Sequence, residues 1–150
     1  MQIAGVTWTA DVQAIASIVG FIVIIYQIRQ LQRAIQSDTH SKLYTHYLEV
    51  TKLLLQKPQL RPYFYGGKVL DKTVPDQADI RQEIEVMCEV FLSLFEHAVV
   101  QKNNLPGDSW QNCWKAYVLE RYKNSPVLVT FFTANQAWYA KTLLDLLKTR

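Results

Sequence analysis

The 150-residue chain contains few of the residues that carry common protein chemistries. It has only two cysteines, Cys88 and Cys113, and three histidines, His40, His46 and His97. None of the histidines stands at ligand spacing from a cysteine or a carboxylate, and no Glu-x-x-His, Cys-x-x-Cys or glycine-rich phosphate loop occurs. His46 lies one helical turn from Glu49, but a nucleophile with suitable neighbours is missing. We therefore expect no metal, no cofactor and no enzymatic activity.

A large excess of charge of one sign is also missing. The 16 Lys and Arg exceed the 13 Asp and Glu by only three. Residues 27–72 carry a net charge of +5, and residues 73–150 carry −1. The basic excess is spread along one predicted helix without a recognisable nucleic-acid-binding module, so we expect no nucleic-acid partner.

Long hydrophobic runs are rare too: the chain has one, Val12–Ile28. Extended back to Trp8, it gives 21 residues, about 31 Å of helix, which is enough to cross a hydrocarbon core of roughly 30 Å. Trp8 and Tyr26 would then lie at the two membrane interfaces. A signal peptide is disfavoured because no Lys or Arg precedes the run. A buried or interfacial helix remains the alternative.

Charged residues beside the run predict its orientation. Arg29, Arg33 and Lys42 follow it, whereas only Asp11 precedes it. The positive-inside rule then places the N-terminus outside and the rest in the cytoplasm. We expect residues 1–28 to form an N-terminal segment with a transmembrane helix, and residues 29–150 a cytoplasmic helical-bundle domain.

The cations Arg29, Arg33 and Lys42 would contact anionic headgroups of the bilayer. The alternative is a solvated helix surface of mixed charge.

The apolar pattern continues beyond the membrane run. Residues recur at spacings of three and four: Ile28, Leu31, Ile35, Thr39, Leu43, His46 and Val50. No Gly or Pro lies between Gly20 and Pro58, which predicts one long helix ending at about Gln56. Two uses of this stripe stay open. Ile28, Leu31 and Ile35 would form a self-association seam in a short coiled coil, or the stripe is the core face of the bundle's first helix.

The segment Pro58–Lys68 predicts a turn. It contains two prolines, two glycines and three consecutive aromatic residues, Tyr63, Phe64 and Tyr65. If exposed, these three side chains would form a site for a protein partner. Alternatively they fill the end of the bundle, with the tyrosine hydroxyls in water.

The remaining sequence predicts further helices of similar character. Apolar stripes at helical spacing run from Ile80 to Ala98 and from Trp110 to Tyr122. Another begins at Ser125, an N-cap followed by Pro126 at the first helical position, with a possible break near residues 133–135. We therefore predict an all-α chain whose N-terminal transmembrane helix continues into an up-down four-helix cytoplasmic bundle.

Two groups of polar residues on these helices have ordinary interpretations. The carboxylates Glu85, Glu89 and Glu96 share one side of the second soluble helix, and a solvated or ion-paired face is favoured over a metal site. Both cysteines fall inside helical patterns, where reduced thiols are expected in the cytoplasm.

The segments LLLQKPQLRPYFYGGK (53–68) and WQNCW…NSPVL (110–128) resemble a family of uncharacterised bacterial, cyanobacterial-like, membrane proteins. The resemblance covers most of the chain. It implies one N-terminal membrane helix in an inner membrane, cytoplasmic or thylakoid, followed by an all-helical cytoplasmic domain. It implies no activity, and no catalytic residue is carried over from it.

Together these features predict a membrane-anchored helical interaction or scaffold module that self-associates and performs no catalysis. Its expected partners are an anionic bilayer, further copies of itself and a possible second protein. One alternative is a small homo-oligomeric, channel-like membrane subunit, although the lack of charge between Val12 and Gln27 argues against an ion path. The other is a sensor that binds an apolar ligand within the bundle.

Overall fold

The computed structural model describes residues 4–70 and 78–148, with side chains described from Val12 and from Ile80 onward. All regular elements in this part of the chain are helical, which confirms the all-α class. The six α-helices are α1 (Ala4–Gln56), α2 (Arg61–Tyr65), α3 (Ala78–Val100), α4 (Lys115–Lys123), α5 (Pro126–Ala134) and α6 (Lys141–Lys148). The side chains of Trp8 and Asp11, predicted at the membrane interface, lie outside the described residues.

Helix α1 is continuous for 53 residues, or about 80 Å. Its end at Gln56 confirms the predicted end of the long helix. By length and composition it is long and apolar enough to cross a membrane, and the apolar part is not buried against the rest of the described chain. Every large apolar side chain from Val12 to Ile35 is between 47% and 67% exposed. No described element packs on this half of α1.

The second half of α1 is the first helix of the bundle. Thr39 is its first buried residue, and Leu43, Val50 and Leu54 are buried beyond it. The long apolar stripe therefore divides into two parts. The C-terminal part of the stripe, from Thr39 to Val50, faces the core of the bundle. The N-terminal part, from Ile28 to Ile35, is exposed.

Helix α3 is the centre of the bundle and contacts α1, α5 and α6. Its buried side chains include Ile84, Phe91 and Phe95, which follow the helical spacing predicted from sequence. The four-helix arrangement is not confirmed in that detail, because the last predicted helix is divided in two. The division follows the predicted break: α5 ends at Ala134, and a 3₁₀ turn precedes α6.

Two histidines face each other where α1 packs on α3. The ring centres of His46 and His97 are 6.0 Å apart. The pKa of His97 is lowered, chiefly because burial disfavours the charged ring and also because His46 and Lys42 lie nearby. The folded bundle therefore favours the neutral form of His97.

Acidification is expected to weaken the bundle through His97. Because its folded pKa lies below the unfolded value of 6.5, the unfolded chain takes up a proton that the folded chain resists, so stability falls as the pH drops through 6.5 toward the folded pKa. The free energy of unfolding of the detergent-solubilised chain should decline over that window. The decline should be smaller in His97→Gln and unchanged in the control His40→Gln. Equal slopes in all three proteins would contradict this assignment.

Candidate functional site

The candidate site lies at the end of the bundle farthest from the exposed half of α1. From Ile28 to Gln56 the helix rises about 42 Å. Beyond it a 3₁₀ turn, Pro58–Leu60, leads directly into α2. Helix α2 ends where the backbone N–H groups of Gly66 and Lys68 both donate to the carbonyl of Pro62. Gly67 has φ +66°, a left-handed conformation that is costly for other residues and closes helix C-termini.

Buried contacts fix α2 against the rest of the bundle. Tyr63 and Phe64 are almost wholly buried, and the Phe64 ring stacks on Phe91 with 4.9 Å between centres. Ser125 Oγ donates to the Tyr63 carbonyl at 2.9 Å and accepts from the Leu128 backbone N–H as the predicted N-cap of α5. In the folded chain Tyr63 and Phe64 are thus core residues. Neither is accessible to a partner, so we correct their predicted role in partner binding.

Tyr65 is different, because cations cover its ring. The guanidinium carbon of Arg121 lies 3.5 Å from the ring centre, and that of Arg61 lies 5.7 Å away. Close by, Lys68 Nζ lies 4.7 Å from the ring centre of Tyr63. We call Arg61, Tyr65, Lys68 and Arg121 the arginine–tyrosine tip. Of the three predicted partner-binding aromatics, only Tyr65 belongs to it.

The tip carries positive charge that the described residues do not neutralise. No Asp or Glu among the described residues forms an ion pair with Arg61, Lys68 or Arg121. The neighbouring Lys57, by contrast, is paired with Glu83. Arg121 Nη1 reaches the Phe64 carbonyl at 3.4 Å, but its buried Nε has no hydrogen-bond partner there. Sequence reasoning missed Arg121, because no local pattern connects it with a turn 57 residues earlier.

The neighbouring Tyr117 shows how the tip is connected to the core. Burial raises the pKa of Tyr117 well above its usual range, and the adjacent Tyr65 hydroxyl adds to this effect. The charge of Arg121 acts in the opposite direction. Tyr117 therefore stays neutral at physiological pH and does not compensate the positive charge of the tip.

The predicted seam residues remain accessible. Ile28, Leu31 and Ile35 are 50%, 61% and 47% exposed on the free half of α1. Helical geometry of about 100° per residue puts them roughly 80° away from the face that packs into the bundle. A second helix could therefore contact this seam without displacing the bundle.

The three predicted membrane-surface cations are not close together. Arg29 and Arg33 are exposed immediately after the apolar run. Lys42 lies about 21 Å along the helix from Ile28, beside the first buried turn of the bundle. Its ammonium group is 2.8 Å from the Asp38 carboxylate. This spacing separates Lys42 from the other two, and only Arg29 and Arg33 remain beside the apolar run.

The three carboxylates predicted to share one side of α3, Glu85, Glu89 and Glu96, lie in two different surroundings. Glu96 accepts a hydrogen bond from the backbone N–H of Ala140 just before α6. Glu85 and Glu89 instead line a cleft of about 430 Å³ between α3 and α5, whose other lining residues are mostly apolar and include Trp138. Within residues 12–70 and 80–148, no cluster of three His, Cys, Asp or Glu is suited to hold a metal. The cleft itself was not predicted from the sequence, because it forms between helices that are distant along the chain.

Comparisons with protein-family models, curated proteins and solved structures gave no match. The resemblance to bacterial membrane proteins therefore stays a prediction. The geometry and chemistry of the residues themselves are the basis for a functional proposal.

Ser125 supplies a test of how the tip is built. Ser125→Ala removes the N-cap of α5 and leaves the buried Tyr63 carbonyl without its donor, at an expected cost of about 1–3 kcal/mol. The control Thr45→Ala removes an exposed bond to the Ser41 carbonyl and should cost less than about 0.5 kcal/mol. Urea unfolding followed by tryptophan fluorescence measures both. Similar costs for the two variants would show that Ser125 does not hold the tip.

Proposed function

We propose that this chain is a membrane-anchored helical interaction module without catalytic activity. Its apolar helix anchors it in the inner membrane, and its arginine–tyrosine tip meets a protein partner in the cytoplasm. The proposal is supported above all by the apolar half of α1, on which no described element packs, because a soluble monomer does not leave an apolar surface of this extent in water. The same helix enters the bundle without interruption.

The continuity of α1 supports a spacer role. About 42 Å of unbroken helix separates Ile28, at the end of the apolar run, from Gln56, and the tip belongs to the end of the bundle that follows Gln56. A flexible linker would allow the tip to approach the membrane surface. A helix packed through Leu43 and Val50 holds it away, where a partner has access to it from the cytoplasm.

Self-association through Ile28, Leu31 and Ile35 fits the same geometry. In a parallel pair these residues occupy successive seam positions, and the heptad continues as Asp38, Lys42, Thr45 and Glu49. Identical charges would face each other at Asp38 and Lys42, so the helices would separate there. The seam would thus end close to the residue where the bundle begins.

The seam is tested by Ile35→Asp, which places a carboxylate in the proposed contact. The mass of the detergent-solubilised full-length protein, from size exclusion with light scattering, should fall to that of the monomer with the helical content unchanged. Leu48→Asp is the control, because Leu48 is 59% exposed and lies about 140° around α1 from Ile35. It should leave the oligomer intact. An oligomer that survives Ile35→Asp would remove the seam from the proposal.

The two native cysteines allow a test of orientation. Cys113 is exposed and Cys88 is buried. Burial, with the nearby charges of Glu85 and Glu89, raises the pKa of Cys88 to about 12, so Cys88 forms almost no reactive thiolate at neutral pH. Cys113 is thus the expected labelling site.

With the N-terminus outside, a membrane-impermeant maleimide should label the chain in inside-out vesicles but not in intact spheroplasts. The Cys113→Ser variant should remain unlabelled in both preparations. Labelling of intact spheroplasts would reverse the proposed orientation.

A specific observation also favours the sensor as a second candidate. The volume of the cleft between α3 and α5 falls within the range of small-molecule sites, and its lining is mostly apolar. Native mass spectrometry of the protein in mild detergent would detect a co-purified apolar molecule. A mass equal to that of the protein alone would rule out the sensor.

The channel-like alternative is supported only by the exposed apolar half of α1.

A further inference from the structure

Arg121 is held in a fixed position in which the described residues pair only one of its donors. Stacking on Tyr65 at 3.5 Å and a second contact of 5.7 Å with the ring of Tyr117 fix the plane of its guanidinium. A guanidinium has five N–H donors, and the described residues give Arg121 one carbonyl acceptor at 3.4 Å, near the long limit for such a bond. The buried Nε is not open to a partner, but the Nη groups of a fixed guanidinium are suited to bind an oxyanion in two-point geometry.

Arg61 and Lys68 extend this arrangement at the surface. Both side chains are exposed, both lie over rings of the same short helix, and neither is paired with a carboxylate of the described residues. Three like charges near one another repel, and an anionic partner would relieve that repulsion. Because the rings limit the movement of the cations, such a partner would meet a partly pre-organised surface.

We infer that the arginine–tyrosine tip binds an acidic segment of a protein partner, with Arg61 and Arg121 contacting its carboxylates. This inference rests on the proposed interaction function and names the chemistry of the partner at the same site. Lys68 contributes long-range attraction, and Tyr65 positions both guanidinium groups.

Features beside the tip favour a protein over a nucleic acid. Val69, directly after Lys68, is 67% exposed. An exposed apolar side chain next to cations suits a segment that combines acidic and apolar residues. Nucleic acids are instead held by many phosphate contacts along an extended basic groove, and three cations do not make one. Under the proposed anchoring, about 42 Å of helix between Ile28 and Gln56 holds the tip away from the headgroups of the same membrane.

The experiment uses the full-length protein in neutral detergent and a fluorescein-labelled peptide of alternating Glu and Leu. Fluorescence anisotropy measures its affinity. The Arg61→Gln/Arg121→Gln double variant should bind at least about tenfold more weakly, as expected for losing arginine–carboxylate contacts. The matched control, Arg29→Gln/Arg33→Gln, removes the same charge at the other end of the protein. It should stay within about twofold of the unaltered chain, because charges this far apart are screened from each other.

A single variant and a second probe separate binding at the tip from misfolding and from general attraction of anions. Arg61→Gln alone leaves the packed Arg121 in place and should still weaken binding about threefold, with unchanged near-ultraviolet circular dichroism. Equal losses from the two double variants, or no loss from either, would overturn the inference. So would tighter, tip-dependent binding of a single-stranded oligonucleotide of the same net charge. Labelling at Cys113 reports on the anchor independently, so correct labelling with failed peptide binding would remove this inference alone.

Discussion

The unbroken backbone hydrogen bonding of α1 is the constraint on which the other features of the protein depend. One helix lies in two environments, because its first half contacts no described element and its second half is packed through Leu43, Val50 and Leu54. Isolated helices are marginal in water, and helices in proteins are stabilised mainly by packing. The described residues provide no such packing for the free half, whereas the packed half fixes the bundle rigidly on the same axis.

Aromatic contacts transmit this rigidity from α1 to the tip. Tyr47 on α1 meets Tyr117 with 5.5 Å between ring centres, and Tyr117 meets Phe95 at 6.2 Å. Phe95 then contacts Phe91, on which Phe64 of α2 stacks. Edge-to-face and offset contacts of this kind are favourable and directional. The orientation of α2, and with it that of Tyr65, is thus set by core packing rather than by the turn that precedes it.

The parts of the fold that depend on local chemistry were predictable from sequence. The long helix follows from the absence of Gly and Pro between Gly20 and Pro58, and the start of α5 follows from the cap and proline at Ser125–Pro126. The division of three adjacent aromatics into two core residues and one tip residue was not predictable, because distant partners decide it. The pairing of Lys42 with Asp38 did have a signal, since oppositely charged residues four apart on a helix commonly pair.

The same pairing changes the meaning of the net charge of +5 between residues 27 and 72. From sequence it suggested one basic surface facing the membrane. In the structure Lys42 is paired with Asp38 and Lys57 with Glu83. Among the described residues of this range, the other cations are Arg29 and Arg33 at one end, Arg61 and Lys68 of the arginine–tyrosine tip at the other end, and Lys52 between the two ends. About 40 Å of helix separates the two ends, several times the screening length of roughly 8 Å in physiological salt. The two ends therefore act as independent charged surfaces, and a partner attracted by one is not attracted by the other.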